Sequence, residues 1–91
     1  MAVDTVRVMP TLLRVGPYRF FMVMFDCAER PHIHVRGGSI GEAKLWLVPS
    51  VSLATTWGYT ASELARIRLI VAQNAEVLIE RWLRTCQDIA T

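Results

Sequence analysis

The pattern of this chain predicts an α+β domain, with an antiparallel sheet of four or five strands followed by a long C-terminal helix packed on one sheet face. Three observations predict it. Short apolar and alternating runs separated by Gly/Pro punctuation fill the first half. A capping motif stands at Thr60-Ala61-Ser62-Glu63. Beyond it, apolar residues recur at spacings of three and four.

The organised pattern begins at Met9-Pro10-Thr11, so residues 1–8 read as an extension and residues 9–88 as a single domain. Leu12 to Val15 and Tyr18 to Phe25 read as two strands joined by Gly16-Pro17, a two-residue hairpin loop with glycine first. The second strand is aromatic and apolar on both faces, as expected of a central strand. Asp26 to Pro31 reads as a polar loop.

His32-Ile33-His34-Val35-Arg36 alternates cleanly, with Ile33 and Val35 on one face and His32, His34 and Arg36 on the other. After the Gly37-Gly38-Ser39 turn, Ala43, Leu45 and Leu47 face one way and Glu42, Lys44 and Trp46 the other. A one-residue slip would set apolar residues beside polar ones. Matching faces therefore predicts Arg36 opposite Glu42, His34 opposite Lys44 and His32 opposite Trp46. Pro49 ends that strand, and Val51-Ser52-Leu53-Ala54 reads as a short fifth one.

Gly58 precedes the helix start, where the Thr60 hydroxyl is expected to accept from the Glu63 amide and the Glu63 carboxylate to reach back. Tyr59 and Leu64 stand at hydrophobic-staple spacing. Leu64, Ile67, Val71, Ala75, Leu78 and Trp82 form one stripe, widened by Ile70, Val77 and Ile79. Asn74 near this stripe is expected to cap a second helix, kink a single one or make a buried hydrogen bond. Arg66, Gln73, Glu80 and Arg84 form the solvated face.

Composition bounds the function. The chain of 91 residues fits one domain with a single core and little volume for a deep substrate cavity. A hydrophobic fraction of 53% exceeds the usual ~45–50%. The excess points to apolar surface covered by a second copy or another protein. A net charge of +2 does not identify a nucleic-acid protein, although it permits a local basic strip. The run Phe20 to Phe25 is too short to span a bilayer, and Met1-Ala2-Val3-Asp4 opens no signal-peptide pattern. The expectation is a cytoplasmic protein with reduced cysteines, although Cys27 and Cys86 would allow one disulfide in an oxidising compartment.

The polar strand face carries the chemistry. His32 and His34 are candidate acid/base groups, with Arg36 to stabilise phosphate charge. Lys44, Trp46 and Glu42 are candidate ligand-binding residues, Trp46 as a stacking platform. Two histidines at i, i+2 bind a metal when a third ligand converges, from Glu42, Asp26 or Glu29. Arg36 and Lys44 beside them weigh against a cation, so no metal and no cofactor is assigned. The same residues also make an ordinary polar sheet face. The glycines at 37, 38 and 41 form no phosphate loop, because no helix and no Gly-Lys-Ser/Thr follows.

Met9-Pro10-Thr11, Arg14, Tyr18-Arg19-Phe20-Phe21, Pro31-His32-Ile33-His34-Val35, Glu42-Ala43-Lys44-Leu45-Trp46-Leu47, and Glu63-Leu64, Ile67, Asn74 and Trp82 resemble the small bacterial domain-of-unknown-function family forty-one sixty. The resemblance spans residues 9 to about 84. Arg30 departs from it, standing where the family commonly has a second proline. The resemblance implies a short bacterial protein of the kind often encoded beside another small protein, as in toxin–antitoxin pairs. It supplies no reaction and no catalytic residue.

Three functions follow as expectations. The first is a toxin–antitoxin-type protein that binds a partner, and nucleic acid through the His/Arg/Lys/Trp face. The second is a metal-independent ribonuclease using His32 and His34, and the third a metal-binding His-x-His protein. The expected partners are a second copy or a small neighbouring-gene protein, with RNA or another phosphate ligand and no membrane.

Overall fold

The computed structural model describes residues 10–90, and of Met24, Phe25, Ile89 and Ala90 only the backbone. The expected extension at residues 1–8 lies outside them. Five strands form one antiparallel sheet in sequence order: β1 Thr11–Val15, β2 Tyr18–Phe21, β3 His32–Gly37, β4 Ser39–Trp46 and β5 Ser52–Trp57. Two helices follow, α1 Ala61–Gln73 and α2 Ala75–Ala90.

The hairpin register is the one the alternation demands. His32 stands opposite Trp46, His34 opposite Lys44 and Arg36 opposite Glu42. The β1–β2 turn places Gly16 at φ 55°, a conformation that costs glycine little. At the β3–β4 turn Gly37 has φ 111°, and a Cβ there would collide with the Pro17 carbonyl oxygen, so a side chain is excluded.

Ile33, Val35, Ala43, Leu45 and Leu47 project from one sheet face into a core shared with Ile67 and Val71 of α1 and Leu78 and Trp82 of α2. The predicted helical stripe is therefore the face that packs. Arg81 of α2 donates from Nη1 to the Leu12 carbonyl at 2.6 Å, tying the helix to β1. Thr60 accepts from the Glu63 amide as expected, but the Glu63 carboxylate accepts from the Ser39 hydroxyl at 2.7 Å, joining α1 to β4.

Three expectations are corrected. The second strand ends at Phe21, because the Asp26 carboxylate accepts the Val23 amide at 2.8 Å and winds Met24–Ala28 into a 3-10 turn. An apolar run carries no mark of that bend. The fifth strand runs Ser52–Trp57, three residues past its expected end. Of the readings open for Asn74, the structure has a second helix: Asn74 leaves helical geometry at φ −118° and donates from Nδ2 to the Ile70 carbonyl at 2.8 Å. That hydrogen bond competes with continuing the helix.

The third correction concerns the cysteines, which are joined as a Cys27–Cys86 disulfide rather than reduced. It fastens the 3-10 turn to α2 across 59 residues of chain, a closure that stabilises by about 2–4 kcal/mol. Among the described residues no helix is long and apolar enough to cross a membrane.

Candidate functional site

The sheet face away from the helices is built on two aromatic rings. Phe21 is almost fully buried there, with the Arg19 guanidinium 4.6 Å and the Arg36 guanidinium 5.2 Å from its ring centroid. His34 stacks on the same ring at 5.6 Å. Trp46 carries Arg30 at 4.0 Å and Lys44 at 4.6 Å over its ring. Cations over aromatic faces gain from the ring quadrupole.

Register places Arg14 opposite Arg19, and Arg19 opposite Arg36, so three arginines form one row across β1, β2 and β3. Like charges directly opposite each other destabilise a sheet. Part of that positive charge is answered locally. Arg36 Nε lies 3.1 Å from Glu42 Oε1, and Lys44 Nζ lies 2.9 Å from Glu29 Oε1. The Lys44 hydrogen bond is the main reason the Glu29 carboxyl titrates below its ordinary range.

The histidines differ in depth. His32 is 0% exposed, packed edge-on against Trp46 at 5.5 Å and 6.2 Å from the Trp82 ring. Alternation gives the sheet face of His32 but not this depth, at which the Trp46 and Trp82 rings lie against it. His34 keeps 16% of its side chain exposed.

Asp26 lies beside both. Its Oδ1 is 3.0 Å from His32 Nε2, and its Oδ2 is 3.0 Å from His34 Nε2. The second contact has hydrogen-bond geometry; the first, although as short, does not, and His32 Nε2 is buried without a hydrogen-bond partner. Burial pushes the Asp26 carboxyl up, but the Val23 amide and then the two histidines outweigh it, and the group titrates below its ordinary value. One ligand atom from each of Asp26, His32 and His34 can be chosen so that all lie within 4.8 Å of one another.

A shallow depression of about 190 Å³ opens beside His34, lined by Glu42, Lys44, Thr55, Thr56 and Trp57. Trp57 is 59% exposed. The structure thus brings His34, Glu42 and Lys44 together at one opening and sets Arg36 beside them, opposite Glu42. Trp46 lies under Arg30 and Lys44, so its ring is not an open stacking platform. Trp57 is not among the residues the sequence pointed to, and Arg14 and Arg19 enter there only through the family resemblance, not as site residues. The Gly16-Pro17 hairpin fixes Arg14 opposite Arg19, so that pair was readable. Trp57 fell beyond the strand end expected from the pattern.

Comparison with known proteins gives the class. The chain belongs to the family described as Domain of unknown function (DUF4160), which matches residues 18–83 and so spans β2 to α2. No curated protein and no solved structure gives a significant match.

Proposed function

We propose that this chain is a non-enzymatic binding protein of toxin–antitoxin type, whose charged sheet face takes single-stranded RNA. The arginine row carries this reading. Arg14, Arg19 and Arg36 line up over two strand spacings, about 10 Å, on one face. A phosphate chain laid across that row offsets the mutual repulsion of the guanidiniums and matches their fork geometry. Along the same cross-strand line, beyond Glu42, the exposed Trp57 offers a base-sized surface at the rim of the depression.

Binding is preferred to cleavage because the acid/base pair is incomplete. His32 is sealed from any substrate, and His34 Nε2 is held by Asp26. A small partner or a second copy is supported separately by exposed apolar side chains, with Ile40 85%, Leu69 58% and Leu83 52% exposed.

The test is fluorescence anisotropy of a labelled single-stranded RNA titrated with the protein over a series of salt concentrations. Affinity should fall linearly with log salt, by a slope of about −0.7 per phosphate neutralised. Replacing Arg14→Gln and Arg36→Gln together should make that slope shallower by about 1.4. Absence of saturable binding at low salt, or binding indifferent to salt, overturns the reading.

A further inference from the structure

We propose that Asp26, His32 and His34 form a binding site for one divalent transition-metal ion of the zinc class, with its fourth position open on the His34 side. The arrangement of lone pairs carries the argument. His32 Nδ1 lies 2.8 Å from the Arg30 carbonyl oxygen. A carbonyl only accepts, so Nδ1 carries the proton, and in the neutral ring Nε2 is a bare lone pair. That lone pair is buried, makes no hydrogen bond, and stands 3.0 Å from Asp26 Oδ1. A carboxylate oxygen is likewise an acceptor only. Two acceptors so close in a dry setting repel unless a proton on Nε2 or a metal ion lies between them, and the contact lacks hydrogen-bond geometry.

The rest of the geometry is that of a metal ligand set. A histidine donating its other nitrogen to a backbone carbonyl is the usual outer-sphere support for a metal-binding imidazole. Zinc–nitrogen and zinc–oxygen bonds of about 2.0–2.2 Å put tetrahedral neighbours about 3.3 Å apart. The observed 3.0 Å contacts, made to the two different Asp26 oxygens, need to open by a few tenths of an ångström, while the widest ligand separation, within 4.8 Å, needs to close. Two imidazoles and one carboxylate favour a first-row transition ion over magnesium or calcium. Three protein ligands leave one position, and His34 faces the depression where a water or anion can reach it.

The cations that weigh against a metal in the sequence are answered in the fold. Arg36 is paired with Glu42, and Lys44 with Glu29. The third ligand is held on a short turn that the Cys27–Cys86 disulfide fastens to α2. The site does not depend on RNA binding, and the two are tested separately.

The experiment uses the full chain with its disulfide intact, stripped with chelator, dialysed, and titrated with Zn²⁺ by calorimetry. One ion per chain should bind, with Kd in the micromolar range or tighter, and thermal stability should rise with Zn²⁺ concentration. Substituting Co²⁺ should give the visible absorption of a tetrahedral site. His34→Gln is partly exposed and tolerable to the fold. It should weaken binding by at least about 100-fold, beyond the 10–100-fold typical of losing an outer-sphere partner. Asp26→Asn should do the same. Two results overturn the site. One is folded protein with no saturable one-to-one uptake, its His32 ring protonated on both nitrogens by ¹⁵N NMR. The other is undiminished uptake in both variants.

Discussion

The two faces of the sheet come from the same strands and are held by different forces. On the helix side, Ile33, Val35, Ala43 and Leu45 pack in one apolar cluster with Ile67, Val71, Leu78 and Trp82, whose Nε1 is buried there without a hydrogen-bond partner. On the other side, Phe21 and Trp46 are covered by Arg19, Arg36, Arg30 and Lys44, and His32 is sealed in beside Asp26. The first face is non-directional and tolerates other apolar residues of suitable volume. The second depends on individual partners, so each of its residues is answerable to a named neighbour. The contrast shows that a buried position and a structural position are different things. His32 is as buried as Ile33, yet nothing in packing accounts for its unpartnered nitrogen.

The comparison breaks most visibly at the sheet centre. Phe20 is 0% exposed in the core, and Phe20→Ala should cost about 3–5 kcal/mol, measured by urea unfolding. A loss below about 1 kcal/mol would mean that the helix-side face is not the one that holds the fold.

Asp26 sharpens the contrast from the polar side. Asp26→Ala leaves the Val23 amide without its acceptor and should cost about 1–3 kcal/mol at neutral pH. The pH dependence has a definite sign. The folded Asp26 carboxyl lies below its ordinary value of 3.8, so its stabilisation is present above that value. It is lost as pH falls through the lower folded value. Unfolding curves collected downward from neutral pH should show the wild type converging on Asp26→Ala in this acid window. Parallel curves would show that Asp26 contributes through shape alone.

The smallest effect is expected at the rim. Arg36→Gln removes the half-exposed pair with Glu42 and should change stability by about 0.2–1 kcal/mol. A larger loss would show that the arginine shield over Phe21 is structural rather than a binding surface.

Much of the fold was legible. Strict alternation at His32–Arg36 and Glu42–Leu47 left one register that keeps apolar residues together, and that register is observed. The hydroxyl-to-amide half of the cap at Thr60 and the stripe of Ile67, Val71, Leu78 and Trp82 also followed from local chemistry and helical period. The site was legible only in part. Alternation told which face His32 occupies, but not its depth. Asp26 was one of three acids that could have approached the histidines, because the chain after Phe21 showed no sign of bending. The glutamates that neutralise Arg36 and Lys44 changed the balance for a cation, and pattern could give only the pairing with Glu42.

What the sequence determined by itself, then, is periodic: strand faces, register, helix start and the order of elements, since these follow from side chains a few residues apart. Tertiary structure alone decided where the non-periodic parts came to rest. It set Asp26 beside two histidines, joined Cys27 to Cys86 and brought Trp46 and Trp82 against His32. Such contacts join different elements of the fold, and their energies appear only when packing of the whole domain brings them within a few ångströms.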